Sequence, residues 1–246
     1  MELSMIYSVK IKRLNHIFMD TVRLYRQAVS FFMDVCLQEW DTISSGKTQK
    51  ERVNLVESLT VASKKNPSVP YDFGADFYKF PSYLRRAAIA EALGKVSSYR
   101  SNLARWEAAD PASRGEKPGL PQAGIVYPAM YRENMFIRTG TYQAALKVFI
   151  RNTWDWILVD LRESDVDYIL RHCGSYKECV HTLQKRGKEW FLDFVLQTTV
   201  KSGYVPGMRQ GSPLTAPDRY PGERKPTTFQ VTAYVGPHPG SSITAT

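Results

Sequence analysis

The chain has 246 residues, 43% of them hydrophobic and 23% charged, with 33 Lys plus Arg against 24 Asp plus Glu and a formal net charge of +9. This composition excludes a disordered or fibrous chain and allows one or two domains, with length enough for a buried core. No run approaches the roughly 18 apolar residues of a membrane span, and Met1-Glu2-Leu3-Ser4-Met5 lacks the pattern of a secretory signal, so none is expected. Cys36, Cys173 and Cys179 are too irregularly spaced for a disulfide framework, so the expectation is a cytoplasmic protein with no membrane attachment. The basic excess favours a polyanionic partner, held less tightly as salt rises.

Residues 6–14 alternate apolar and polar side chains, which predicts a strand with one dry and one basic face. Asn15 is placed to cap a helix whose apolar residues Phe18, Val22, Tyr25, Val29, Phe32, Met33, Cys36 and Trp40 recur at helical spacing, ending near Ser44-Ser45-Gly46. Thr48 opens a second helix striped by Val53, Val56, Leu59 and Val61. Residues 66–81 read as an ordered but irregular connection. Ser82 then caps a long helix to about Glu107, with Leu84, Ala88, Val96, Tyr99, Leu103 and Trp106 as its buried line. Residues 108–121 contain Asp110-Pro111, Gly115 and Pro118-Gly119 and form a loop.

Beyond that loop the pattern changes to strands, at 135–138, 143–150 and 156–160. A short helix capped by Ser164 follows, and then a hairpin of 180–184 and 189–200 turning at Lys185-Arg186-Gly187-Lys188. The second hairpin strand, apolar on both faces around Trp190–Leu196, belongs in the centre of a sheet. Residues 201–246 hold seven of the 14 prolines and six of the 15 glycines, and are expected to form a disordered tail without a core.

The order of these segments resembles the front half of TnpB-like transposon nucleases, relatives of type V CRISPR effectors. The resemblance rests on Tyr7-Ser8-Val9-Lys10-Ile11-Lys12-Arg13-Leu14 in the first strand, and on Leu84-Arg85-Arg86 with Ser97-Ser98-Tyr99-Arg100-Ser101 in the long helix. Lys117-Pro118 in the loop and Lys188-Glu189-Trp190-Phe191-Leu192-Asp193-Phe194 in the last hairpin complete it. It implies an α+β fold: a wedge-like antiparallel β-barrel (1–15 and 118–200) interrupted by a helical recognition lobe (16–117). It also implies a guide RNA, or its hybrid with DNA, gripped through the backbone while base pairing reads sequence. The family's catalytic RuvC half is expected after Val200, but Lys201-Ser202-Gly203-Tyr204-Val205-Pro206-Gly207 carries no metal-binding carboxylate, and the zinc ribbon is missing too. The implied protein binds RNA or DNA, has no cofactor and does not cut. Self-association or a separate chain supplying the RuvC half are further partners that this reading allows.

Candidate contacts with nucleic acid are Lys10, Lys12 and Arg13 on the first strand, Arg85, Arg86, Arg100 and Arg105 on the long helix, and Lys185, Arg186 and Lys188 at the hairpin turn. Each group has a bland alternative: a charged edge strand guarded against aggregation, a solvated helix face, an ordinary basic turn. Tyr99 and Trp106 either stack on bases or belong to the core, the core being favoured. His172, Cys173, Cys179 and His181 lack an established zinc spacing, and Asp155, Asp160, Glu163, Asp165 and Asp167 alternate between strand and helix without obvious convergence. No phosphate loop, zinc-protease helix or nucleophile elbow is present.

Overall fold

Alternating side chains along the opening segment produce β1 (Glu2–Lys12), which buries Val9 and Ile11 and sends Ser8, Lys10 and Lys12 to the opposite face. The computed structural model describes residues 2–12, 16–64 and 66–199. Asn15, the expected cap, and the expected tail 201–246 lie outside them. α1 (Met19–Gln38) starts after Phe18 without a side-chain cap and buries Val22, Tyr25, Val29, Phe32, Met33 and Cys36. It ends sooner than its periodicity predicts, because Glu39 leaves helical geometry (φ −104°, ψ 23°) while its N–H still bonds to Val35. α2 (Trp40–Ser44) continues beyond this break and buries Ile43.

Thr48 caps α3 (Gln49–Thr60) as expected: its hydroxyl accepts from Glu51 N–H at 3.2 Å, and Glu51 accepts in return from the Thr48 N–H. The connection that follows holds a short helix, α4 (Phe73–Asp76). Its Phe73 stacks between Phe32 and Phe77, at centroid distances of 4.7 and 4.5 Å. These rings fill the space between α1 and the start of α5 (Ser82–Ala108). Pro81, not Ser82, is the N-cap of α5, since its extended backbone (ψ 132°) presents its carbonyl to Arg85 N–H at 2.9 Å. Leu84, Ala88 and Val96 are buried as the spacing predicts, but Tyr99, Leu103 and Trp106 are only half-buried, on the last turns of the helix.

The sheet is built from β2 (Ala129–Met130), β3 (Phe136–Gly140), β4 (Gln143–Ile150), β5 (Thr153–Leu161), β6 (Lys177–Glu178), β7 (His181–Arg186) and β8 (Glu189–Thr199), together with β1. α6 (Glu163–Cys173) lies between β5 and β6. Its N-cap is Arg162 rather than Ser164, and the Asp165 carboxylate accepts from that arginine at 2.8 Å. The hairpin β7–β8 turns at Gly187, whose φ of +60° is the left-handed geometry glycine permits without strain.

The strand order is β2-β7-β8-β1-β5-β4-β3, with β6 also on β8, and every ladder is antiparallel. β8 is central, as expected. β1 changes partner along its length: Glu2 to Lys10 pair with β8, then Ile11 and Lys12 with β5.

The β-barrel expected from sequence is corrected to an open sheet. Its terminal strands, β2 and β3, are joined by only residues 131–135, so the sheet curls until its ends approach. Phe136 of β3 packs 4.4 Å from the His181 ring of β7, and Arg138 pairs with Glu178 of β6 at 2.6 Å. No ladder joins β2 to β3, because the backbone there bonds locally: the Tyr131 carbonyl takes the N–H groups of both Met135 and Phe136, at 2.8 and 3.0 Å.

Helices and sheet share one core, with Phe18 edge-on to Trp190 at 5.1 Å and the Thr21 hydroxyl accepting from Phe149 N–H at 2.8 Å. Among the described residues, no helix is long and apolar enough to cross a membrane.

Candidate nucleic-acid interface

Strand register places the predicted cations of the sheet in rows. Ser8, Asp193 and Thr182 lie side by side across β1, β8 and β7, followed by Lys10, Phe191 and Gln184. Glu189 and Arg186 form the next row, towards which Lys12 continues along β1. Lys10 pairs with Glu189, and Lys12 pairs with Glu163 at 3.0 Å. Arg186 holds both oxygens of Asp193 at 2.9 Å, and the Ser8 hydroxyl donates to the same carboxylate at 2.6 Å. Asp193 is buried, so these bonds compensate its charge and commit Arg186 to the fold. The pairs of Lys10 and Lys12 are more exposed and correspondingly weak. Lys188 stands exposed at the turn. Arg13 lies outside the described residues.

The arginines of α5 turn mostly towards neighbouring helices. Arg85 and Arg86 share Glu57 of α3, at 3.1 and 3.5 Å, and Arg86 also donates to Asn54 at 2.8 Å. Arg100 donates to the Leu37 carbonyl at the end of α1, at 3.0 Å. Arg105 is exposed and bonds within its own helix, to Asn102 at 2.6 Å. The four therefore do not converge with the hairpin cations. Trp106 neither joins the buried core nor offers an open ring: its indole N–H donates to Gly115 at 2.7 Å, and the Arg114 guanidinium lies 4.0 Å above it.

A third basic region, formed by Arg23 and Arg26 of α1 and by Tyr127, was not singled out from the sequence. The two arginines fall three residues apart, off the apolar stripe of Val22, Tyr25 and Val29, and that offset was the available signal. They line a groove of about 510 Å³ with Met19, Val22, Gln27 and Ser30. Arg23 pairs with Asp20 at 2.8 Å. Arg26 lies 5.1 Å from the Tyr127 ring centre, and its Nε donates to the Val126 carbonyl at 3.1 Å. The Tyr127 hydroxyl donates to the Lys185 carbonyl at 3.1 Å, and Lys185 Nζ reaches Met19 Sδ at 3.5 Å. Lys185 therefore borders this groove, on the side of the sheet opposite Arg186.

The acidic residues do not assemble into a site. Tyr142 donates to Asp167 at 2.8 Å, Gln143 to Asp160 at 2.9 Å, and the Lys10 N–H to Asp165 at 3.0 Å. Among the described residues, no three His, Cys, Asp or Glu side chains are placed to hold a metal ion. Cys173 is buried at the end of α6, whereas His181 lies inside the sheet between Phe136 and Phe194. Neither ring nitrogen of His181 has a hydrogen-bond partner. Burial pushes its pKa down to about 4, against the pull of Glu178 at 3.8 Å.

The chain is similar to a protein of Aquifex aeolicus (strain VF5) that bears the name uncharacterized protein aq_aa04. The two are 29% identical over 125 residues, covering 45% of this chain and 68% of the relative. The Aq_aa04 family model matches residues 5–150, from within β1, through α1–α5, to the end of β4. On that match, which spans more than half of its length, the chain belongs to the Aq_aa04 family.

Proposed function

We propose that this chain binds nucleic acid, as the RNA- or hybrid-binding portion of a TnpB-like protein, and does not itself cut. The observation that carries the reading is the placement of Lys10, Lys12 and Lys188 at one end of β1 and the β7–β8 hairpin, with Lys185 on the opposite face of the same hairpin end, in a chain of net charge +9. Lys10 and Lys12 exchange weak carboxylate contacts for phosphate at little cost, and Lys188 is exposed at the turn.

The topology supports the TnpB-like assignment: the helices interrupt a sheet in which the first and last strands are neighbours. Phosphate contacts of this kind position a backbone without reading its bases, which suits a partner recognised through pairing with a guide. The acidic side chains named above are engaged with separate partners, so the reading assigns none of them to cleavage.

The test is retention of a structured RNA by the full chain as salt rises from about 50 to about 200 mM. Several phosphate contacts predict a steep fall in affinity over that range. No binding at the lower salt sinks the proposal.

A further inference from the structure

Lys10, Lys12, Arg85, Arg86 and Arg186 each pair with a carboxylate, but two cations that border the α1 groove do not. Among the described residues, neither Arg26 nor Lys185 has an ion-pair partner. Both are instead positioned by Tyr127, which carries the Arg26 guanidinium against its ring and bonds the Lys185 backbone through its hydroxyl. Three separate segments thus meet at one tyrosine: α1, the residues preceding β2, and the end of β7.

We propose that Arg26 and Lys185 form a two-cation clamp on a nucleic-acid backbone, each contacting a phosphate, with the α1 groove receiving the sugar between them. This rests on the nucleic-acid reading above and adds the place of contact. Arg26 is half-buried and anchored through Nε, so its two Nη groups reach an anion with little further loss of freedom. The planar fork of Arg26 and the point charge of Lys185 each suit phosphate oxygens. Lys185 is steadied at its ammonium: Nζ lies 3.5 Å from Met19 Sδ and 5.9 Å from the Trp190 ring centre, and Trp190 itself packs against Phe18. The groove volume of about 510 Å³ falls within the ~300–1,000 Å³ of ordinary ligand clefts. Met19 and Val22 give it an apolar wall, and Gln27 and Ser30 supply groups able to bond a sugar hydroxyl.

The experiment measures binding of the full chain to a structured RNA with single-stranded flanks, across a salt series. Lys185→Gln and Arg26→Gln are each expected to weaken binding about fivefold, and to reduce the slope of log affinity against log salt by roughly 0.7–0.9. Arg26→Lys keeps the charge and is expected to retain the slope while losing part of the affinity. Lys50→Gln, the same charge change on an exposed position of α3, is expected to leave both unchanged. Lys185→Gln alters only a surface side chain, so it decides the matter even where Arg26→Gln disturbs the Val126 segment. RNA binding that is indifferent to Lys185→Gln, or that weakens equally with Lys50→Gln, overturns the clamp while leaving the nucleic-acid reading in place. Absence of RNA binding at low salt overturns both.

Discussion

The basic side chains of α5 and those at the β7–β8 hairpin end serve opposite ends. On α5, Arg85, Arg86 and Arg100 reach Glu57, Asn54 and the Leu37 carbonyl, and so tie three helices together. At the hairpin end Lys188 faces solvent, and Lys185 borders a groove without an acidic partner among the described residues. Like positive charges therefore carry different meaning: one set is spent on folding, the other remains for a ligand. Arg186 shows how narrow the distinction is, since it sits in the hairpin yet belongs to the first class through Asp193.

The largest effect that sharpens this comparison comes from a basic group that must stay neutral. The pKa of His181 is lowered in the fold to about 4 from an ordinary 6.5, so its contribution is complete above pH 6.5 and is lost as pH falls towards 4. The loss amounts to about 3 kcal/mol across that window, at 1.36 kcal/mol per unit. Urea unfolding at several pH values, compared between the native chain and His181→Phe, isolates this contribution from that of the carboxylates. Equal slopes in the two proteins would contradict it. Next in size, Arg85→Ala removes one side of a largely buried pair, 19% and 21% exposed, and is expected to cost about 2 kcal/mol in chemical denaturation. A cost below about 0.5 kcal/mol would place Arg85 among the solvated cations. Smallest in stability is Lys188→Gln, expected to change unfolding by less than about 0.5 kcal/mol while weakening RNA binding a few-fold. The reverse pattern would erase the distinction between the two regions.

Much of this fold was legible because its signals are local. The 143–150 strand, the Thr48–Glu51 capping box and the Gly187 turn each follow from a few neighbouring residues. The break at Glu39 and the caps at Pro81 and Arg162 depend on how the backbone is placed, which side-chain pattern alone does not reveal. The barrel that the resemblance implies does not close, because whether β2 and β3 pair depends on the local bonding of Tyr131. For the interface, residue type identified the cations but not their commitments. Glu57 lies about thirty positions from the arginines that it holds, and Tyr127 some sixty from Lys185. Such long-range partners decide which charges remain for a ligand.

The most direct test of the central claim compares the salt dependence of RNA binding in three full-length proteins: the native chain, a Lys185→Gln/Lys188→Gln double variant, and Arg86→Gln. The double variant is expected to lower the slope of log affinity against log salt by roughly 1.4–1.8, with Arg86→Gln leaving it unchanged. A chain that fails to bind RNA at low salt, or whose slope falls with Arg86→Gln and not with the hairpin variant, would contradict the account.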